Sequence, residues 1–513
     1  MTMSIQSIFP ILKWLPHYNQ QNLKGDVNAG LTVGIMLIPQ GMAYAMLAGL
    51  PPIYGLYASI VPQLIYALMG TSRQLGVGPV AMDSLLVAVT VSQLAQAGSD
   101  AYIALAILLA FLVGAIQLLM GVLRLGFLVN FLSHPVISGF TSAAALIIGF
   151  SQLKYLLGVD LERSQFLHEI LWDAALHLSA INPYTLMIGL LGILIIIGSK
   201  KIHTALPAPL LVVVFGILVV GLFKLDTMGV AIVQEVPSGL PAFGMPTLSW
   251  ELISQLLSSA FTIALIAFME AIAVAKAIQA RHKDYQIDPN QELLALGAAN
   301  LVGSFFQSFP GTGGFSRSAV NDQAGAKTNL AAIISALFVM LTLLLLTPLF
   351  YYLPKAVLAS IIMVAVFKLI AVQDALDLWK QGYKRDFLIL VITFLATLGI
   401  GIQSGILVGV LLSIMGTLYD TMTPTLTTNF SAPTTLTIHY KGLLYYANSH
   451  SFKEKMEGML HHKKDIQQLV IDGSSLTKMD STGQKALEEV VNSYKNKGIE
   501  VQLVNLPSSF STL

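Results

Sequence analysis

Ser308-Phe-Pro-Gly-Thr-Gly-Gly-Phe-Ser-Arg-Ser318 decides how this chain must fold. The stretch lies between two long apolar segments, yet it holds three glycines, a proline and an arginine. Backbone of this kind at bilayer depth exposes polar groups that lipid cannot satisfy. It is tolerated only where it is buried in protein or lines a cavity. A charge at the bilayer centre costs at least ~2.5–3.5 kcal/mol on insertion scales. Arg317 therefore needs compensation, and a bound anion is the natural candidate. Read in isolation, the stretch could also be a surface loop between two helices.

The rest of the chain favours membrane depth. Of 513 residues, 55% are hydrophobic and 11% charged, with a mean hydropathy of +0.73. Soluble domains carry about 25% charged residues, so most of this chain belongs in a lipid bilayer. A net charge of +1 gives no footing for nucleic acid. The absence of cysteine excludes disulfides and thiolate metal sites. Lys13, Trp14 and Lys24 precede the first long apolar run with no small-residue cleavage site between them. The expectation is a cytoplasmic N-terminal segment over 1–25, followed by a retained transmembrane helix.

A spanning helix needs about 20 apolar residues. That ruler places segments 1 and 2 near 27–48 and 52–69. The glycine-rich strip 70–79 then leads into a run to about Leu94 that is too short to span, and reads as a half-helix starting inside the membrane. Segments 4 to 7 fall near 101–123, 135–157, 183–199 and 207–223. An amphipathic surface stretch over 161–179, with Glu162, Arg163, Trp172 and Asp173, interrupts them. Segment 8, near 253–279, contains Glu270, and segment 9 (289–307) runs into the 308–318 stretch. A second short segment, 315–326, follows, then four more near 328–350, 354–372, 386–401 and 403–420. Fourteen segments result, with short, glycine-preceded members at positions 3 and 10. Broken segments at matching positions in two halves point to the binding site of an inverted repeat. Seven segments per half force the halves into opposite orientations.

Lys24, Arg73, Arg124, Lys200, Lys201, Arg281, Lys283, Lys327, Lys380, Lys384 and Arg385 fall on the N-terminal side, while Lys154, Arg163, Lys224 and Lys355 fall opposite. Basic residues mark the cytoplasmic face, so both termini are expected there, with the bacterial inner membrane as the expected location. The transmembrane domain is expected to cover 26–425. From about Asn429 the composition becomes that of a soluble α/β domain, over 430–513. Residues 436–446 read as a strand pair, 449–462 as a helix, 468–474 as a strand ending in a polar loop, 481–496 as a helix and 501–505 as a strand.

The run Gln40-Gly-Met-Ala-Tyr-Ala-Met-Leu-Ala-Gly-Leu-Pro-Pro-Ile-Tyr-Gly-Leu-Tyr57, followed by Gly70-Thr-Ser-Arg73 and Val77-Gly-Pro-Val-Ala81, resembles the signature of the SulP (sulfate permease) anion transporters. The blocks at 134–158 and 308–319 are similar to two more of that family's blocks. The tail, with Asp472-Gly-Ser-Ser and Met479-Asp-Ser-Thr-Gly483, resembles a STAS domain. The resemblance spans essentially the whole chain. It implies an α-helical polytopic membrane protein with a 7+7 inverted repeat, in which segments 1–4 and 8–11 form a core and 5–7 and 12–14 a gate. It also implies an elevator-like shift of core against gate, a homodimer, and sulfate, bicarbonate, chloride, oxalate or dicarboxylate as cargo. The tail ends early for a STAS domain, as if its last helix were missing.

Several residues are candidates for the chemistry. A half-helix N-terminus offers unpaired N–H groups and partial positive charge. Here those ends are Val80-Ala81-Met82 and Phe315-Ser316-Arg317. Ser316 can donate a hydroxyl hydrogen, and Arg317 can supply potential or a bidentate contact. The resemblance adds Gln40 and Tyr44 to the same pocket. An intramembrane carboxylate is by default a functional candidate, and Glu270 near Arg317 could exchange a proton for an ion pair. A permanent Glu270–Arg317 pair is the alternative. Val274, one turn on, carries no hydroxyl, which disfavours sodium as the coupling ion. Asp83 departs from the family, which carries an uncharged residue there. It could be protonated, face Lys276 or water, or act as a second proton carrier. In the tail, Asp480 or Ser481 could cap the following helix, while Ser481 or Thr482 could accept a phosphate and a soluble partner could bind the domain.

The leading reading is therefore a proton-coupled sulfate carrier. Another anion on the same scaffold, a nucleobase carrier, and an anion sensor signalling through the tail are the competing ones. With no nucleophile–base pair, metal-ligand cluster or phosphate loop in the tail, neither an enzyme nor a cofactor is expected.

Overall fold

The computed structural model describes residues 5–131, 133–161, 164, 166–202, 208–282, 284–423, 425–432, 434–461 and 466–506. The chain divides into two compact units, Met1–Gly409 and Val410–Leu513.

The first unit is helical. Asn19 caps α1 (Gln20–Leu47) by accepting from the Asn22 amide. Next come α2 (Ile53–Tyr57), α3 (Val61–Met69), the two-residue strand β1 (Val77–Gly78) and α4 (Ala81–Val91). Helix α5 (Asp100–Val122) starts at Ser99, whose hydroxyl accepts from the Tyr102 amide. It is followed by α6 (His134–Ser151), α7 (Leu153–Leu157), α8 (Leu167–Leu176), α9 (Pro183–Ile202) and α10 (Ala208–Phe223). The second half holds α11 (Trp250–Gln279), α12 (Pro289–Ser304), β2 (Thr312–Gly313), α13 (Phe315–Gln323), α14 (Leu330–Leu345), α15 (Lys355–Phe367), α16 (Val372–Lys380), α17 (Lys384–Ile400) and α18 (Ile402–Met422). Among the described residues, six helices are long and apolar enough to cross a bilayer.

Each segment expected from the sequence is helical, but two are interrupted. Segment 2 breaks between α2 and α3, where Pro62 opens the second piece and cannot donate to the preceding turn. Segment 5 breaks at Gln152, between α6 and α7. The surface stretch forms α8, with Ile170 and Ala174 inward and Trp172 outward. Glu162, Arg163 and Lys283 lie outside the described residues.

Packing repeats with a shift of seven segments. Helix α1 packs on α14 as α11 packs on α5, and α5 packs on α12 as α14 packs on α3. Likewise α13 meets α1 as α4 meets α11, and α6 meets α17 as α15 meets α9. Strands β1 and β2 pair antiparallel with each other, Val77 opposite Gly313 and Gly78 opposite Thr312. The internal symmetry argued from spacing is thus present in the helix contacts.

The second unit carries β3 (Thr425–Ala432), β4 (Thr435–Leu444), α19 (Ser449–His461), β5 (Gln468–Met479), α20 (Ser481–Asn496) and β6 (Glu500–Val504). The sheet runs β3-β4-β5-β6, antiparallel at β3–β4 and parallel beyond. The strand pair expected within 436–446 is a single strand, whose partner is β3. Gly442 marks a bulge, with φ of 112° and a register shift beside it, rather than a hairpin turn. Strand β5 also continues to Met479 instead of ending in a loop at Ser474. Leu476 and Met479 keep turning inward against β4. Leu436, Ile438, Leu469 and Ile471 of the sheet bury against Phe452, Met456, Leu487 and Tyr494 of the helices. Residues 507–513, where the early ending was expected, lie outside the described residues.

Candidate functional site

The site is built where the glycine-rich strips that precede α4 and α13 cross. The Gly314 amide donates to the Gly76 carbonyl at 3.0 Å, and the Gly76 amide donates to the Ser318 hydroxyl at 2.9 Å. Asn321 reaches the Gln74 carbonyl at 3.0 Å. Asn300 of α12 closes the other flank, accepting from the Gly311 amide and donating to the Gly311 carbonyl. Thr312 donates to the Ala267 carbonyl of α11 at 2.6 Å. Irregular backbone at this depth therefore has its polar groups satisfied by protein, as the bilayer demands.

Arg317 is 2% exposed and ties the crossing together. Its Nε donates to the Gly76 carbonyl and its Nη1 to the Pro79 carbonyl, both at 3.1 Å, while Nη2 reaches the Thr312 carbonyl at 3.5 Å. Glycines make room for it. A Cβ on Gly76 would meet the Arg317 Cγ at 2.9 Å, and one on Gly314 would meet Nη2 at 3.0 Å. Among the described residues Glu270 makes no ion pair with Arg317 within 4.0 Å, so the permanent pair considered from sequence is absent. The bidentate anion contact imagined for Arg317 is likewise redirected, since the guanidinium holds three backbone carbonyls.

Helices α4 and α13 begin at this crossing without a side-chain cap on either. Their first turns, Val80-Ala81-Met82 and Phe315-Ser316-Arg317, line one cavity of about 250 Å³. Gln40 and Tyr44 of α1 and Glu270 of α11 line it too. Every substrate-contact candidate named from the sequence thus converges here, together with one of the two proton-coupling candidates. Asp83 does not line the cavity: it is fully buried one residue beyond Met82, and neither carboxylate oxygen has a hydrogen-bond partner among the described residues. Its suggested pairing with Lys276 does not occur among the described residues.

The far wall belongs to residues that spacing could not nominate. Ile137, Phe140, Thr141 and Ile148 of α6 and Ala365 and Val366 of α15 line the same cavity. Only their place in the 134–158 block hinted at a role. A second cavity of about 350 Å³ follows the same interface further along, between Met46, Leu85 and Ala88 on one side and Gln152, Lys154 and Tyr155 on the other.

Two buried carboxylates were not singled out from sequence, and both hold loops on the N-terminal side. Asp26 accepts from the Lys327 and Thr328 amides at 2.7 and 2.9 Å. Glu292 accepts from Tyr66 at 2.7 Å and from the Thr71 amide at 2.7 Å. Arg73 bonds Asp284 at 2.5 Å, and Arg281 bonds Asp322 at 3.2 Å. Basic residues assigned to one membrane face from sequence therefore sit in contacting loops.

In the second unit the cap on α20 is Asp480, which accepts from the Gly483 amide at 2.7 Å and the Tyr446 amide at 3.0 Å. These amides hold the Asp480 carboxyl below the usual carboxylate range. Ser481 and Thr482 stand exposed in the first turn. Gly483 is required because a Cβ there would lie 2.3 Å from the Leu444 carbonyl oxygen. Asp472 accepts from the Ser474 amide, Asn505 and His439, and its carboxyl is pulled down to about 2.

A helical membrane protein with two half-helices meeting tip to tip across a symmetry-related crossing, followed by a small α/β domain, is a transporter of small solutes, and its uncapped positive helix ends suit anions. Residues 23–393 match the Sulfate permease family and residues 428–512 the STAS domain. The chain belongs to the sulfate permease family of membrane anion transporters. It is 37% identical to a chloroplastic sulfate transporter 4.1 of Arabidopsis thaliana, over 98% of this chain and 78% of that one. It is 35% identical to high affinity sulfate transporter 2 of Stylosanthes hamata, over 98% of this chain and 82% of that one. The murine Solute Carrier 26 family member A9 anion transporter, in an inward-facing state, superposes with a TM-score of 0.90 at 27% identity, covering 100% of this chain and 91% of that one. The transmembrane domain of a cyanobacterial bicarbonate transporter shares the fold, with a TM-score of 0.66 at 23% identity over 77% of this chain and 98% of that one.

Proposed function

We propose that this protein is a secondary active carrier that takes up sulfate with protons by an elevator-like shift of core against gate. The observation that carries the reading is the convergence of two uncapped helix N-termini, Arg317 and Glu270 on one cavity. An anion there meets N–H groups and the partial positive ends of α4 and α13, with Ser316 as an added donor. Gln40 and Tyr44 complete the pocket. Arg317 acts through potential and by rigidifying the crossing. Glu270 is the proton carrier: its neutral form lets Arg317 and the helix ends attract the anion, and its ionised form opposes that attraction.

The core would comprise α1–α5 with α11–α14, and the gate α6, α7, α9 and α10 with α15, α17 and α18. With both termini cytoplasmic, the protein would sit in a cell membrane, the bacterial inner membrane on the reading above. A homodimer, and a soluble partner or phosphorylation at Ser481 or Thr482 of the STAS domain, belong to the same proposal.

No donor in the cavity reads tetrahedral geometry uniquely, so bicarbonate, chloride or a dicarboxylate is the second reading. Proteoliposome uptake of labelled sulfate, at two pH values with and without sodium, decides between them. Sulfate uptake that rises with an inward proton gradient, ignores sodium and loses its pH dependence in Glu270→Gln supports the reading. Uptake in Glu270→Gln with unchanged pH dependence would falsify coupling through this residue. Competition by bicarbonate or a dicarboxylate stronger than that by unlabelled sulfate would transfer the site to that anion.

A further inference from the structure

Helices α8 and α16 hold matching places in the two halves. The first lies between α7 and α9, the second between α15 and α17, and both pack on α6. Each exposes an apolar stripe: Leu171, Trp172 and Leu176 on α8, and Val372, Leu376 and Trp379 on α16. Steps of four and three residues put the α16 stripe on one face. Charge separates the two helices. Lys380 and Lys384 stand exposed at the end of α16, with Lys368 and Arg385 close by in the chain. Helix α8 carries Glu169 and Asp173 and neither lysine nor arginine. The acids near α16 are occupied or turned in. Asp374 accepts from the Ser138 hydroxyl of α6, Asp377 accepts from the Gln373 side-chain amide at 2.9 Å, and Asp386 is half-buried.

A short helix with leucine and tryptophan on one face and lysines beside it suits the headgroup region of a bilayer. The lysines select an anionic leaflet. The apolar surface continues onto α17, where Leu388, Ile392 and Leu395 are exposed, and Trp379 rests against Phe387 of that helix with ring centroids 5.0 Å apart. The inner side of α16 is tied to the cavity. Besides the Ser138–Asp374 bond, the Ala371 amide donates to the Ser142 hydroxyl at 2.9 Å. Ile137, Phe140 and Thr141, beside and between those two serines, line the cavity. Leu369, which leads into α16, lines it too.

We propose that α16 docks on the anionic headgroups of the cytoplasmic leaflet and seats the gate's share of the cavity wall there, so that uptake is faster from an anionic membrane. This rests on the orientation and the carrier reading proposed above. A core that shifts against a gate needs the gate held in place, and a helix gripped by the leaflet holds it at the wall the anion passes. Helix α8, at the opposite face and acidic, has no such attraction to anionic lipid.

The chain has no cysteine, so Leu376→Cys and Leu171→Cys each give the full chain one site for a bimane label. In vesicles of phosphatidylcholine with about three-tenths phosphatidylglycerol, the label at 376 should be shielded from acrylamide about fivefold better than in pure phosphatidylcholine. The label at 171 should be shielded equally in both. Adding Lys380→Gln and Lys384→Gln should abolish the difference at 376. Initial sulfate uptake by wild type should also rise about fivefold with phosphatidylglycerol. Ser138→Ala with Ser142→Ala should lose that rise and keep the shielding. If the serine pair does not fold, the lysine pair must lose the rise instead. Equal shielding at 376 in both vesicles, or a difference that survives in the lysine pair, overturns the docking. Shielding that fades as the protein is diluted in the vesicles assigns the face to a second copy and overturns it too. Wild-type uptake indifferent to phosphatidylglycerol overturns the tie to the cavity. Wild type with no sulfate uptake in either vesicle overturns the carrier reading, and the label still decides the docking.

Discussion

The two half-helices that meet at the cavity share a backbone plan and differ in chemistry. Helix α13 carries Arg317, whose guanidinium is anchored to three carbonyls, two of them in the strip that leads into α4. Helix α4 carries Asp83, which is anchored to nothing among the described residues. The Ser318 hydroxyl of α13 accepts from the Gly76 amide, whereas the hydroxyl of the equivalent Ser84 of α4 has no hydrogen-bond partner among the described residues. One end is a latched, fixed cation. The other is a buried acid with no such anchor. An inverted repeat gives a transporter two matching scaffolds, and here they carry opposite charge types at the same step.

Breaking the latched end should have the largest effect. Arg317→Ala leaves the Pro79 carbonyl without its donor, a cost of ~1–3 kcal/mol, removes the second donors to the Gly76 and Thr312 carbonyls, and should abolish both sulfate uptake and binding. Arg317→Lys keeps the charge but not the fork, so uptake should stay below about a tenth of wild type. A smaller loss is expected from Gly76→Ala, because its Cβ would press on the Arg317 stem at 2.9 Å. Uptake there should fall several-fold, with the thermal midpoint lowered. Ser316→Ala removes one hydroxyl donor from the cavity, worth about 1 kcal/mol, and should raise the KM for sulfate roughly fivefold with little change in maximal rate. A rise beyond a hundredfold would make Ser316 the principal anion ligand and the helix ends secondary.

The smallest transport effect belongs to the STAS domain. Asp472→Asn loses charge-assisted bonds from the Ser474 amide, Asn505 and His439, and should lower the thermal midpoint of that unit by a few degrees. Because its folded-state value is depressed to about 2, the Asp472 contribution is complete above the ordinary carboxylate value near 4 and fades as pH falls toward 2. Wild type and Asp472→Asn should therefore converge in stability at acid pH. A difference that persists unchanged at pH 2 would remove the carboxylate from the explanation.

Much of the site was legible because membrane depth is written in segment lengths. Two short glycine-led segments at matching positions pointed to the crossing, and Arg317 and Glu270 stood out as charges that lipid does not tolerate. Gln40 and Tyr44 came from the family signature. What spacing could not reveal was azimuth. Nothing in 308–318 says that Arg317 turns back onto Gly76 and Pro79, since those carbonyls lie more than two hundred residues away in the chain. Asp83 stayed ambiguous for the same reason, as only packing shows that neither Lys276 nor Arg317 bonds it. In the second unit, 436–446 read as a strand pair, because a glycine that marks a bulge, such as Gly442, also suits a turn between two strands. The long pairing of β5 with β4 decided between them.

The most direct measurement is the position of a heavy sulfate analogue. A structure of the protein with selenate, located by its anomalous signal, should show one peak between the first turns of α4 and α13, within hydrogen-bond reach of the Met82 and Ser316 amides and beside the Gln40 side chain. A single peak elsewhere, or none at a selenate concentration that saturates inhibition of sulfate uptake, would contradict the claim that the crossed helix ends form the anion site.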